Sequence, residues 1–330
     1  MKLSLVIPVY NEEEVLPHTL PALGSVLALL NIDYEVLFVD DGSRDGSFDL
    51  LTREAALDRR IKILRFSRNF GHQAAVTAGL DFACGDAVIV MDADLQDPPE
   101  LIPEMLRLYE EGYEVVSPQR ISRDGDTWFK RATARLFYRV MSGMVDRRMR
   151  EEVGDFRLLS RGAISAMRQF REQHRFLRGM IAWLGLREAI LPFERKARAA
   201  GTTKYPFWKM ARFSWTAITS FSAAPLHLTM GLGVAACCLA FVYLMFAMVA
   251  ALVFKNVVSG WTSIVALQCL FFGVTLICVG LIGDYVARIY EESKGRPLYV
   301  IGAAVNASQP VQLERAILLE PRPVTHEAVR

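Results

Sequence analysis

Two glycine-rich signatures are missing from this chain of 330 residues. No G-x-G-x-x-G follows a strand-like run in the soluble part, which argues against a dinucleotide site, and the absence of G-x-x-x-x-G-K-[ST] excludes a P-loop. If phosphates bind here, a metal and basic side chains must hold them. Cysteine is scarce as well, with five residues. Cys237, Cys238, Cys269 and Cys278 lie in long apolar runs and Cys84 stands alone. Neither a disulfide framework nor a zinc-ligand spacing results, which fits a reducing cytosol. Met1-Lys2-Leu3 leads straight into a strand pattern, without the features of a signal peptide. The net charge of +2 excludes little. Its basic residues gather beside the apolar runs, which favours lipid headgroups or phosphates as partners and argues for no nucleic acid.

Charge itself is missing from residues 226–254 and 261–283, which contain no Asp, Glu, Lys or Arg. These runs account for much of the 52% hydrophobic content and the mean hydropathy of +0.23. At ~1.5 Å per residue they would form helices roughly 43 and 35 Å long, against a hydrocarbon core of ~30 Å. A buried core helix rarely runs so far uncharged, so two membrane spans in a hairpin are predicted. Arg195, Lys196, Arg198, Lys204, Lys209 and Arg212 precede the hairpin, and Arg288, Lys294 and Arg296 follow it; the linker offers Lys255. The positive-inside rule then predicts a multi-pass protein of the inner (plasma) membrane with both termini cytoplasmic. Residues 206–222 interleave Phe207, Trp208, Met210, Phe213, Trp215, Ile218 and Phe221 with Lys209 and Arg212, the pattern of an interfacial helix lying on membrane lipid. Asp284 and Arg288 would pair at i, i+4 where the second span re-enters water. The expected domains are a catalytic part over 1–200, a juxtamembrane segment over 201–224, two spans within 225–284, and a cytoplasmic tail over 285–330 that carries no pattern after about Gly302.

Within residues 1–200, strand-like runs at 3–9, 35–39, 61–65, 87–91 and 113–117 alternate with helical patterns at 12–30, 47–57, 73–82 and 99–111. Asn11 is the expected cap of the first helix. Such alternation predicts an α/β fold, a mostly parallel sheet with flanking helices. Ligands of such sheets collect outside the carboxyl ends of the strands. Those ends carry Pro8-Val9-Tyr10-Asn11-Glu12, Asp40-Asp41-Gly42-Ser43, Ser67-Arg68-Asn69-Phe70-Gly71-His72 and Asp92-Ala93-Asp94. Asp92-Ala93-Asp94-Leu95-Gln96-Asp97 follows an apolar run directly. Two carboxylates so close suit a hard divalent cation, Mg²⁺ or Mn²⁺, that shares its shell with substrate phosphates; ordinary turn chemistry is the competing reading. His72 is either a base or a packing residue at a helix start. Asp40 needs a basic neighbour or an Asx turn into Gly42 to sit beside Asp41.

The segments VIPVYNEEE, VDDGSRDGS, RNFGHQAAVTAGLD, DADLQDPPE, GDFRLLSR and AGTTKY, followed by paired spans, resemble the family 2 inverting glycosyltransferases with a GT-A-like catalytic domain. The likeness runs from about Lys2 to Tyr299 and is strongest to the polyisoprenyl-phosphate glycosyltransferases, which include dolichol-phosphate mannose synthase and bactoprenol glucosyltransferases. The resemblance implies donor contacts at Pro8, Tyr10, Glu12, Val39, Asp41, Asp92, Ala93, Asp94, Gln96 and Arg120. It implies metal ligation by Asp92, Asp94 and Gln96, and phosphate or acceptor contacts from Arg120, Arg131, Arg198 and Lys204. Asp94, Asp155 and Arg131 are the expected catalytic residues. The implied partners are a nucleotide sugar, UDP-glucose first and GDP-mannose as the alternative, and a polyisoprenyl (undecaprenyl) phosphate. Transfer to another lipid or a saccharide is the second enzymatic reading, and a non-catalytic nucleotide-sugar sensor or scaffold is a reading of another class. A homo-oligomer is left open. A phosphate monoester acceptor is already largely dianionic near neutrality, with a second pKa of ~6, so it needs no base. Asp155 would then orient the acceptor or tune Arg157, unless it is simply ion-paired with Arg157 or Arg161.

Overall fold

The computed structural model describes residues 1–120, 153–170, 172–193, 224–254, 260–307 and 316–318. The expectations for Arg131, Arg198, Lys204, the interfacial helix at 206–222 and most of the linker lie outside the described residues.

The strands are β1 (Lys2–Val9), β2 (Asp33–Asp40), β3 (Ile61–Phe66), β4 (Ala87–Val90), β5 (Val115–Arg120), β6 (Arg157–Ser160), β7 (Glu188–Phe193), β8 (Tyr299–Val305) and β9 (Ala316–Leu318). Among the described residues they form one sheet in the order β7-β5-β6-β4-β1-β2-β3-β8-β9. The central β4-β1-β2-β3 block is parallel throughout. β6 runs antiparallel to β4 and β5, and β8 antiparallel to β3. The sheet is therefore mixed around a parallel centre, with helices α1 (Leu16–Leu29), α2 (Ser47–Leu57), α3 (His72–Phe82), α4 (Ile102–Glu110), α5 (Arg161–Met167) and α6 (Leu177–Leu184) beside it.

β1 is buried from Leu3 to Val9, and a strand covered on both faces needs a continuous apolar run. Leu5, Ile7 and Val9 share one cluster with Leu16, Leu23 and Leu27 of α1 and with Phe38 and Ile89 of the neighbouring strands. On α3, a Cβ at Gly79 would collide with the Val6 side chain, so glycine lets this helix approach the sheet. At the amino ends of the strands, Glu35 accepts from Ser4 Oγ (2.6 Å), Lys62 Nζ (2.8 Å) and the Cys84 N–H (2.7 Å), and pairs with Lys2 at 2.9 Å. Burial alone would raise this carboxyl; the four partners overcome it and bring it down to about 2.

Three details differ from expectation. α1 starts at Leu16 with no side-chain cap, since Pro17 suits a first turn. Asn11 instead sits at φ 53 and accepts the Arg44 N–H through Oδ1 at 2.9 Å. The strand expected at 113–117 runs over Val115–Arg120. Residues 299–305, assigned to a tail, pair with β3; Gly302, Ala303 and Ala304 are too small to give them a strand pattern. The two remaining helices, α7 (Ala224–Phe254) and α8 (Trp261–Ser293), form a separate unit. Each holds a stretch, Pro225–Phe246 and Leu270–Ser293, long and apolar enough to cross a membrane. Phe241, Phe246, Phe272 and Ile277 are exposed along them. Arg288 Nε lies 3.3 Å from Asp284 Oδ2, as expected.

Candidate active site

Four loops leave the carboxyl ends of the parallel strands, and their own side chains lace them together. Asp41, at the end of β2, accepts from the Phe70 N–H (2.6 Å) and the Gly71 N–H (2.9 Å). Burial raises its carboxyl and these two donors oppose the rise. Asp40 accepts the Ser43 N–H at 2.9 Å and lies 3.3 Å from Arg65 Nε. That pairing supplies the basic neighbour which adjacent aspartates require. Gly42 (φ +70) sits where a Cβ would come within 2.6 Å of the Arg68 carbonyl carbon, a position only glycine fits. The Asn11 and Glu12 N–H groups donate to Ser43 Oγ and Ser47 Oγ, each at 2.9 Å.

The β4 exit carries the acidic motif. Thr19 of α1 donates to the Ala93 carbonyl at 2.6 Å, which fixes the backbone between the two aspartates. Leu95 takes φ 56, and the Gln96 N–H turns back onto Asp94 Oδ1 at 3.1 Å. Gln96 is buried, and its Oε1 has no hydrogen-bond partner among the described residues. A buried amide oxygen without a donor is costly, and beside two carboxylates it suits a hard cation. Among the described residues no three His, Cys, Asp or Glu side chains are grouped to hold a metal. Asp92, Asp94 and the Gln96 oxygen are the residues that would hold such an ion, with substrate and water completing its shell. Asp97 is nearly buried, and burial followed by the Asp92 charge lifts its carboxyl to about 7. Arg120, at the end of β5, reaches within 3.8 Å of Asp97, and its Nε is also buried without a hydrogen-bond partner among the described residues.

Asp155 faces this motif from the segment before β6. Arg178 of α6 donates through Nε to Asp155 Oδ1 at 2.7 Å, and His72 Nε2 lies 3.4 Å from Oδ2. Burial would raise Asp155, but Arg178 and then His72 hold it well below the usual carboxylate range. The same His72 Nε2 is 3.9 Å from Asp92 Oδ1. Burial opposes its charged form, yet Asp155 and Asp92 together raise its pKa. Asp92 is itself raised, first by its place deep in the cleft and then by Asp155 and Asp94, although its side chain remains 47% exposed. The ion-pair partners expected for Asp155 from sequence, Arg157 and Arg161, are not the ones found. Arg157 donates to the Gly154 carbonyl at 2.8 Å and Arg161 to the Ala83 carbonyl at 3.2 Å.

The structure therefore brings Asp92, Asp94, Gln96, Arg120 and Asp155 to one side of the sheet, and adds Asp97, His72 and Arg178. Tyr10 stands exposed at the β1 end. Glu12 lies at the start of the same loop, while Pro8 and Val39 are paired inside the ladder. Val39 is fully buried.

A family model described as glycosyl transferase family 2 matches residues 4–168. An uncharacterized glycosyltransferase, YkcC, of Bacillus subtilis is 45% identical over 90% of this chain and 92% of its own. The bactoprenol glucosyl transferase of Shigella phage SfV is 38% identical over 91% of this chain and 98% of its own. A crystal structure of glucosyl-3-phosphoglycerate synthase from Mycobacterium tuberculosis aligns over 66% of this chain and 77% of its own, at 18% identity and a TM-score of 0.48.

Proposed function

We propose, for a chain that belongs to glycosyl transferase family 2, that it moves one hexose from a nucleotide sugar to polyisoprenyl phosphate at the cytoplasmic face of a membrane. UDP-glucose is the favoured donor and undecaprenyl phosphate the favoured acceptor. The carrying observation is that similarity to the phage bactoprenol glucosyl transferase covers 91% of the chain, so it takes in more than the glycosyltransferase domain. The two span-length helices supply the anchor that a lipid acceptor requires.

In the reaction an acceptor phosphate oxygen bonds to the anomeric carbon while the bond from that carbon to the donor diphosphate breaks. The leaving diphosphate gains negative charge. A divalent ion held by Asp94, Asp92 and Gln96 would supply Lewis-acid stabilisation of that charge. Arg120 adds a fixed positive charge beside the same loop, and Arg131, Arg198 and Lys204 remain the proposed grips on the acceptor phosphate. Asp155 orients the acceptor side. A carboxylate held so low is a poor proton acceptor, and a phosphate dianion has no proton to give up. Arg178 and His72 keep that carboxylate from repelling an incoming anion.

The test offers labelled UDP-glucose and GDP-mannose in turn to membranes containing the full chain and undecaprenyl phosphate. Label should enter the organic phase from UDP-glucose, disappear with chelator, and return with Mg²⁺ or Mn²⁺. Label from GDP-mannose alone would replace the sugar, and label from neither would remove the transfer.

A further inference from the structure

The donor side of this reading accounts for β1, β2 and β4, yet the structure adds a strand to the same row of loops. β8 pairs antiparallel with β3, and the pairing slips between Arg65, opposite Ala303, and Phe66, opposite Ile301. Gly302 is the extra residue, a bulge. Bulges break a ladder locally, and this one faces a pocket of about 470 Å³ whose lining includes Tyr10, Gly42, Arg65, Arg68, Gly302 and Ala303.

The lining has the character of a nucleoside site. Tyr10 offers an exposed aromatic face. At Gly42 and Gly302 a Cβ would meet the Arg68 and Ser67 backbones, so these two glycines let the segments that line the pocket pack closely together. Arg65 is committed to Asp40 and to the face of Phe48. Arg68 lies over Phe70 and has no carboxylate partner among the described residues, so the pocket keeps positive charge. Neighbouring strands are about 4.8 Å apart, so β4 and the middle of the β1–β2–β3 row are separated by roughly 10 Å across the sheet. That separation leaves room for a diphosphate and ribose between the acidic motif and a base. Asp41, one of the expected donor contacts, accepts from the Phe70 and Gly71 N–H groups, which ties the end of β2 to the loop that carries Arg68.

We propose that the Gly302 bulge and Ala303 form the outer wall of the donor's nucleoside pocket and so select its base. This rests on the nucleotide-sugar reading above. A specificity element would then lie beyond α8 in the chain, more than two hundred residues from the loops it completes.

The test titrates UDP and GDP, with Mg²⁺ and without acceptor, into the full-length protein in detergent. Ala303→Leu and the milder Ala303→Val extend into the pocket, and Ala304→Leu changes the exposed neighbour on the same strand. Thermal unfolding establishes that each variant is folded. Binding of the preferred nucleotide should weaken at least tenfold in Ala303→Leu and by less in Ala303→Val, with an altered UDP-to-GDP ratio. It should stay within twofold in Ala304→Leu. Parent-like binding and ratio in a folded Ala303→Leu or Ala303→Val would overturn the wall alone. Binding of neither nucleotide by the parent would overturn the donor reading and the wall with it.

Discussion

Asp94 and Asp155 do different work, and substitution separates them. Asp94→Asn keeps shape and removes a charged ligand, so turnover should fall by about 100-fold or more with the melting temperature nearly unchanged. Chelator should reproduce that loss in the parent; a parent-like Asp94→Asn that works in excess chelator would remove the ion from the mechanism. For Asp155, Arg178 holds the carboxyl below its usual range, so it stays ionised throughout the working range. The acidic limb of the rate profile should then report the acceptor phosphate near ~6. Asp155→Asn should lower the rate and leave that limb in place. A limb that vanishes, leaving a slow pH-independent rate, would restore Asp155 as a base. The motif at Asp92–Gln96 was legible because its residues are contiguous at one strand exit. Arg178 was not, because it meets Asp155 from 23 positions further along the chain, on a short helix with no motif of its own. His72 was visible as a loop residue, but its partners Asp155 and Asp92 come from two other segments. Only folding brings them within reach.

At the level of elements, β1 to β4 announce themselves because each holds a mainly apolar run with polar residues close after it, even though Ser4, Glu35, Lys62 and Arg65 interrupt three of them. β6 has four residues, too few for a pattern to outweigh its flanks. β8 carries three small residues together and owes its pairing to the exposed edge of β3. Asn11 misled because a polar residue before a helix is an ordinary cap, whereas here a turn over Glu12–Val15 intervenes and the Asn11 side chain joins two loops. The Glu35 cluster ties β1, β2 and β3 to the turn before β4, and its consequence is a pH dependence of stability. Its carboxyl is lowered from 4.5 to about 2, so the folded state binds fewer protons than the unfolded state between those values. The stabilisation is complete above about 4.5 and is lost as pH falls towards about 2. Melting curves of parent and Glu35→Gln should differ most near neutrality and converge through that window. A constant gap from pH 7 to pH 2.5 would show that the carboxylate charge contributes nothing.

For the whole molecule, the proposal joins a sheet that carries an acidic site to helices that suit a bilayer. The proposed topology, drawn from the charge asymmetry around the hairpin, would put residues 255–260 outside the cell. Ser259→Cys, in a background cleared of other reactive thiols, should react with an impermeant reagent added to intact cells, while Ser293→Cys should stay protected. The reverse pattern would invert the topology and put the site on the wrong face for a cytoplasmic donor. The central claim is that the chain joins a sugar to a lipid phosphate with inversion at the anomeric carbon, and the most direct measurement is NMR of the purified lipid product. From UDP-glucose, whose anomeric bond is α, the account predicts a β-linked glucosyl phosphate with the anomeric carbon coupled to a single lipid-borne phosphorus. An α-linked product, or a glucose attached to anything other than phosphate, would contradict it.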